Sequence, residues 1–143
     1  MTFLLDVNLL FVLHQPRHVS YEPVSRWFTR RQAIPFATCP ITQAGMLRLL
    51  MQEIAGSTRF SIDEARAALE NLVEHPRHVY WPDDPPYLQT TTALLKRMRG
   101  HRQITDAYLL GLAKHHGGKL ATLDKAIVGL AGPEFAGLVE LIV

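Results

Sequence analysis

The chain has 143 residues, with 48% hydrophobic and 20% charged residues and a formal net charge of +2. These values are ordinary for one globular domain with a buried core, and we expect a single domain over residues 1–143. The mildly basic balance is compatible with nucleic acid as a partner. Cys39 is the only cysteine, which excludes an intrachain disulfide and a zinc site built on cysteines and favours a reducing cytoplasm. We predict no membrane span and no signal peptide, because no apolar run is long enough and the N-terminus lacks a basic region.

Short apolar runs alternate with helical patterns along the chain. The predicted strands cover residues 3–5, 35–39, 78–81, 119–122 and 138–143. The predicted helices cover residues 8–13, 21–31, 42–55, 61–74, 87–99, 105–116 and 125–130, with Thr42 and Ser61 as N-caps. Such alternation indicates right-handed crossovers and a parallel sheet with helices on both faces. We therefore predict a three-layer α/β/α domain without repeats or linkers.

Three aspartates occupy matching positions in this pattern. Asp6 follows the first strand, Asp124 follows the fourth, and Asp106 lies in the first turn of the helix predicted from Thr105. If strands one and four are neighbours where the winding of the sheet reverses, the three carboxylates meet in the crevice at the carboxyl edge. Their mutual repulsion would favour a divalent cation, and hard oxygen ligands suit Mg²⁺ or Mn²⁺. Such an ion can activate water for phosphodiester hydrolysis.

Each aspartate also has a purely structural interpretation. Asp6 can cap the helix that follows it, and Asp106 can be an ordinary acid of a first helical turn. Asp124 can be a turn residue or the N-cap of the next helix. A structural role for all three at the same edge is the weaker interpretation.

Three segments of the sequence resemble PIN-domain ribonucleases, in particular the VapC toxins of type II toxin–antitoxin systems. These segments are Leu5–Leu10, Ile104–Leu109 and Ala121–Asp124. The resemblance extends over the whole chain and implies a five-stranded parallel sheet in the order 3-2-1-4-5. It also implies Mg²⁺- or Mn²⁺-dependent cleavage of RNA, with Asp6, Asp106 and Asp124 as catalytic metal ligands. Neutralisation by a VapB-like antitoxin is implied as well.

One position departs from the pattern of this family. The family usually carries a glutamate near the start of the helix after strand two, where this chain has Gln43. An amide oxygen can ligate a metal but adds no negative charge, so we expect weaker metal binding and leave the number of ions open. Gln43 can equally be a polar residue facing solvent. Asn8, Gln43 and Thr105 are the predicted supporting residues of the site.

A basic run precedes Asp106 and consists of Lys96, Arg97, Arg99, His101 and Arg102. It can grip an RNA backbone, or it can be a solvated helix end whose cations complement the helix dipole. We predict RNA contacts from Arg102 first, because it is nearest the acids, and also from Arg99 and Arg97. Aromatic residues of the second helix, Tyr21, Trp27 and Phe28, are expected in the core, in a homodimer or against an antitoxin helix.

Two further functions remain open from the sequence. A phosphohydrolase of the haloacid-dehalogenase type also begins with a strand that ends in aspartate, but it would require a second aspartate where this chain has Asn8. A catalytically silent module that binds RNA or a protein partner is the other alternative. The paired histidines His115 and His116 lie at a helix end, where cations are favoured, and need no catalytic role.

Overall fold

Five short parallel strands form one sheet in the order β3-β2-β1-β4-β5. The computed structural model describes all 143 residues. The strands are β1 (Phe3–Leu5), β2 (Phe36–Thr38), β3 (His78–Tyr80), β4 (Lys119–Thr122) and β5 (Val139–Leu141). The strand order implied by the family resemblance is therefore confirmed, and β1 lies beside β4.

Seven helices cover the two faces of the sheet. They are α1 (Val7–Leu13), α2 (Tyr21–Arg30), α3 (Pro40–Leu50), α4 (Ile62–Val73), α5 (Tyr87–Leu95), α6 (Ile104–His115) and α7 (Lys125–Phe135). Two 3-10 turns, His101–Gln103 and Ala136–Leu138, lie before α6 and after α7. None of these helices has the length and apolar character needed to cross a lipid bilayer.

Side chains of the central strand alternate between two hydrophobic cores. Leu4 packs on one face, among residues of α5, α6 and α7 such as Leu109. Phe3 and Leu5 pack on the other face with residues of α1 to α4, such as Met46. Because successive strand residues point to opposite faces, a strand of three apolar residues serves both cores. This burial fixes the position of β1, and therefore of Asp6 at its end.

The register of β1 against β4 aligns their carboxyl ends. Leu5 pairs with Ala121, and the backbone N–H of Asp6 donates to the Ala121 carbonyl at 3.0 Å. The side chains that follow the two strands therefore meet at one edge of the sheet.

The start of α3 differs from the prediction. The helix begins at Pro40 with Cys39 as its N-cap, so Thr42 is wrong as the N-cap. Thr42 lies in the first turn, and its hydroxyl accepts the Cys39 backbone N–H at 2.9 Å. Proline fits the first helical position because its missing N–H would have no helical partner there. Cys39 and Thr42 therefore form a capping box in which Cys39 is the N-cap and Thr42 is the third residue of the helix.

Helix ends were predicted less well than helix starts. α3 ends at Leu50 rather than Ala55, because the Leu50 carbonyl instead accepts the N–H of Phe60 at 2.7 Å. α5 ends at Leu95 rather than Arg99, and a turn leads from it to the 3-10 segment. α7 continues past Leu130 through a kink at Gly132, whose φ of 63° only glycine adopts easily. The capping box of Ser61 and Glu64 in α4 is confirmed.

Candidate active site

Thr122 connects Asp6 to Asp124 across the two central strands. The Asp6 side chain is only 5% exposed, and its Oδ2 accepts the Thr122 hydroxyl hydrogen at 2.7 Å. The same hydroxyl oxygen accepts the backbone N–H of Asp124 at 3.0 Å. One threonine side chain therefore holds the end of β1 against the turn that follows β4. Thr122 was not among the predicted site residues, although a hydroxyl two residues before Asp124 in an apolar strand was a usable signal.

Two of the three aspartates also cap helices. Asp6 Oδ1 accepts the Val7 N–H at 2.8 Å at the start of α1. Asp124 Oδ1 accepts the Ala126 N–H at 2.9 Å at the start of α7. A carboxylate has about four acceptor positions, so these bonds leave capacity for a further ligand. The structural interpretation of each acid is correct, and the convergence of the acids is present as well.

The charges of Asp6 and Asp124 affect the pKa of Asp106. It is half-buried in the first turn of α6, and burial together with the charges of Asp6 and Asp124 raises its pKa to about 6. Burial also raises the pKa of Asp6 and the charge of Asp124 adds to this, while hydrogen bonds from Thr122 and Val7 oppose it. The three carboxylates are therefore close enough to influence one another, and the ionised forms of Asp6 and Asp106 are disfavoured when no cation is bound.

This donor set fits a hard divalent cation. All three ligating groups are carboxylates, and the only cysteine, Cys39, is buried with its Sγ beside the Thr42 hydroxyl. The only group of three whose ligating atoms all lie within 4.8 Å of one another is a different one, made of Asp84, His115 and His116. The aspartates are thus more widely spaced, which suits an ion that keeps several of its waters.

The predicted supporting residues lie at different depths around this cleft. Asn8 and Thr105 are exposed, in the first turns of α1 and α6. Gln43 is half-buried, and its Nε2 donates to the Thr38 hydroxyl at 3.0 Å. That hydroxyl lies 2.7 Å from Nε2 of His78. The Gln43 amide is therefore held by the end of β2 through a chain of hydrogen bonds that the sequence did not reveal.

The loop between α5 and α6, which carries most of the basic run before Asp106, contacts the first turn of α7 next to Asp124. Gln103 accepts the backbone N–H of Arg99 at 2.8 Å, and its own amide lies 3.5 Å from the Ala126 carbonyl. Arg99 and Arg102 are exposed in this loop. Gln103 was absent from the predicted site, yet it braces the loop that carries two of the predicted RNA contacts.

Arg97 has a different environment from the other two arginines. Its guanidinium lies 3.5 Å from a carboxylate oxygen of Glu134, and its side chain covers Gly132 at the kink of α7. A Cβ at position 132 would collide with the arginine. Arg97 therefore braces α7, and it is less available to RNA than Arg99 or Arg102.

The aromatic residues of α2 belong largely to the core. Trp27 is buried, with its ring edge-to-face against Phe3 at 5.2 Å between centroids. Arg31 lies over the same indole and pairs with Glu140 of β5 at 2.9 Å. Phe28 is partly buried and packs against the same core. The core interpretation is therefore the correct one for Trp27.

Comparison with known proteins agrees with this geometry. A family model described as PIN domain matches residues 3–132. Ribonuclease VapC39 of Mycobacterium tuberculosis is 37% identical over 142 residues, which is 99% of this chain and 100% of that protein.

Two solved structures share the fold at low sequence identity. VapC20 of Mycobacterium tuberculosis, described as a toxin that cleaves the sarcin–ricin loop, superposes with a TM-score of 0.69 at 14% identity and 99% coverage of both chains. VapBC2 of Rickettsia felis, determined with a DNA fragment from its promoter, superposes with a TM-score of 0.62 at 14% identity and full coverage of both chains. From the family match and the full-length relative together, the chain belongs to the PIN-domain family and, within it, to the VapC ribonucleases.

Proposed function

We propose that this chain is a divalent-metal-dependent endoribonuclease, acting as a single domain and as the toxin of a type II toxin–antitoxin pair. The observation that carries the proposal is the convergence of Asp6, Asp106 and Asp124 around Thr122 in a chain similar to VapC ribonucleases. Divalent-metal dependence is general among PIN-domain ribonucleases. Mg²⁺ and Mn²⁺ are the ions that best match the carboxylates of this chain.

The three aspartates would hold the ion, directly or through water. When bound, the ion supplies positive charge that lowers the pKa of water and stabilises the charge developing on a phosphodiester. Asp106, with its raised pKa, carries a proton in part of the metal-free molecules near neutral pH and must release it to act as a ligand. Thr122 fixes the orientation of Asp6, since its hydroxyl occupies Oδ2 and leaves the rest of the carboxylate for the cleft.

Positive charge beside the cleft supports RNA as the substrate. Arg99 and Arg102 project from the loop that Gln103 braces against α7, close to Asp124. Contacts from arginine to phosphate position a nucleic acid without reading its sequence. Asn8 and Thr105 are proposed to contact the ion's waters or the substrate from the rim of the cleft.

The proposed partners are a VapB-like antitoxin and a second copy of the chain. The likeness to a VapBC assembly supports the antitoxin. We also infer a cytoplasmic location, because the proposed substrate is RNA. Arg48 is exposed in the last turn of α3 and is available to an acidic residue of the antitoxin.

The deciding experiment is cleavage of RNA by the purified chain with Mg²⁺, Mn²⁺ or EDTA. We expect cleavage with either ion and none with EDTA. The alternative function, a catalytically silent module that binds RNA or protein, gains support only from the missing charge at Gln43. RNA binding without cleavage under both ions would favour that alternative.

Arg102→Gln is expected to weaken RNA binding to a similar extent for different RNA sequences. Loss of one phosphate contact should also make the slope of the logarithm of the binding constant against the logarithm of salt concentration shallower, by roughly 0.7 for a single strand. Arg66→Gln is the matched control, since Arg66 is exposed on α4 and pairs only with Glu70. Equal salt slopes for wild type and Arg102→Gln would remove Arg102 from the interface.

Gln43→Glu is expected to tighten Mg²⁺ or Mn²⁺ binding several-fold and to lower the ion concentration for half-maximal cleavage. A glutamate would accept the Thr38 hydroxyl hydrogen, where the Gln43 amide donates to the same hydroxyl, and it adds the charge that family members carry near this position. Gln52→Glu adds the same charge at an exposed position beyond the end of α3 and serves as the control. Isothermal titration compares the three proteins. Unchanged affinity in Gln43→Glu would mean that residue 43 stays directed at Thr38 and does not serve the ion.

A further inference from the structure

A second group of metal-ligating side chains lies at the far end of α6. One nitrogen each of His115 and His116 and a carboxylate oxygen of Asp84 all lie within 4.8 Å of one another. His115 ends α6 and His116 is its C-cap, whereas Asp84 lies in the loop between β3 and α5. The helix rises about 15 Å between Asp106 and His116, at 1.5 Å per residue. This group is therefore separate from the acidic cleft.

The imidazole of His116 is held in place and has a free nitrogen. Its ring stacks on the indole of Trp81, with 4.5 Å between centroids and 17° between planes. Its Nε2 is buried and has no hydrogen-bond partner. Buried polar nitrogens are nearly always paired, so this one points to a missing ligand. Burial and the neighbouring His115 lower the pKa of His116, against the opposing effects of Asp84 and the Pro82 carbonyl.

The turn after α6 fixes this arrangement. Gly117, at φ 69°, and Gly118 donate their N–H groups back to the carbonyls of Lys114 and Ala113, at 3.1 and 2.9 Å. A side chain at Gly118 would collide with the Trp81 ring. The stack of Trp81 and His116 is therefore set by the backbone, and only the exposed Asp84 and His115 are free to adjust.

Charge pairing does not account for the group. Neither histidine forms an ion pair with Asp84, for the ion pairs of the chain all involve arginine. The three ligating atoms lie within 4.8 Å of one another, whereas ligand atoms of a tetrahedral site with bonds of about 2.0–2.2 Å are roughly 3.4 Å apart. Small movements of the exposed Asp84 and His115 side chains would bring the three atoms around one ion.

We propose that Asp84, His115 and His116 bind a zinc ion that fastens the loop between β3 and α5 to the end of α6. Two imidazoles and one carboxylate form a set that zinc prefers over the harder Mg²⁺. Water completes the fourth position, because Asp84 and His115 are open to solvent. The site is a structural cross-link, so zinc should raise the melting temperature by mass action.

The test is titration of the full, tag-free chain with Zn²⁺ in an excess of Mg²⁺ that occupies the acidic cleft. We expect one zinc per chain and a higher melting temperature. His115→Gln and Asp84→Asn should each weaken zinc binding by at least about tenfold, since even the outer partners of metal ligands are worth 10- to 100-fold. Both residues are exposed, so these variants should fold.

Two controls separate this site from the rest of the molecule. His101→Gln removes an exposed histidine at the opposite end of α6 and should bind zinc normally. Asp6→Asn should also retain zinc. The proposal is overturned by an absence of zinc uptake under Mg²⁺, by unchanged uptake in both ligand variants, or by loss of uptake in Asp6→Asn.

Discussion

Asp6→Asn is expected to abolish RNA cleavage and, in EDTA, to raise the melting temperature. Cleavage should fall at least about 100-fold, because the variant loses a ligand whose outer partners alone would be worth 10- to 100-fold. Stability should rise because Asp6 is nearly fully buried and its ionised form is disfavoured by burial and by the charge of Asp124. Asparagine keeps the shape of the side chain and can still accept the Val7 N–H and pair with Thr122.

Asp63→Asn is the matched control for this prediction. Like Asp6, Asp63 is an acid at the start of a helix, but it lies exposed in the first turn of α4. Its replacement should leave cleavage unchanged and should slightly destabilise the protein, because the acid favours the helix dipole. Wild-type cleavage by Asp6→Asn, after contaminating nuclease is excluded, would remove Asp6 from the site. A lower melting temperature in EDTA would show that Asp6 serves the fold more than the ion.

The metal-free protein is expected to lose stability through Asp106 as the pH rises from about 4 to about 6. The pKa of Asp106 in the folded protein is about 6, above its ordinary value of 3.8. Between these values the folded state holds a proton that the unfolded chain has released, so the stability falls with rising pH. The full shift corresponds to about 3 kcal/mol, and solvent screening of this half-buried group reduces it to about 1–2 kcal/mol.

Urea unfolding of wild type and Asp106→Asn between pH 4 and pH 7 measures this effect. Subtracting the two curves cancels the contributions of His78 and His116, whose pKa values are lowered by burial. With saturating Mg²⁺ the wild type should gain stability, about 2.7 kcal/mol at 100 times the dissociation constant, and the Asp106 loss should vanish. Identical pH dependence in the two proteins, with and without Mg²⁺, would contradict a shared carboxylate cleft.

The parallel sheet could be predicted from the sequence because the patterns that indicate strands and helices are local. Apolar runs and helical periodicity alternate, and this alternation is enough to indicate a parallel sheet with helices on both faces. The positions of Asp6 and Asp124 directly after strands then bring them to one edge once β1 and β4 are adjacent. The strand order itself came from the family resemblance, because alternation alone does not specify it.

Features that depend on contacts between residues far apart in the chain could not be predicted from the sequence. The direction of Gln43 depends on Thr38 and His78, which are brought together only by the pairing of β2 with β3. The structural role of Arg97 depends on the kink of α7 at Gly132. The end of α3 was misplaced because Phe60 supplies a tertiary hydrogen bond that helix propensity does not encode.

The central position of β1 has a consequence for synthesis of the protein. Asp6 leaves the ribosome well before Thr122, which lies 116 residues later in the chain, and before Asp124; these two residues complete its surroundings. A nascent chain that stops anywhere before these residues has β1 without its β4 neighbour and has an incomplete set of carboxylates. Until β4 and the turn after it have been made, the nascent toxin therefore lacks this arrangement, and we expect it not to cleave RNA, including the message that encodes it.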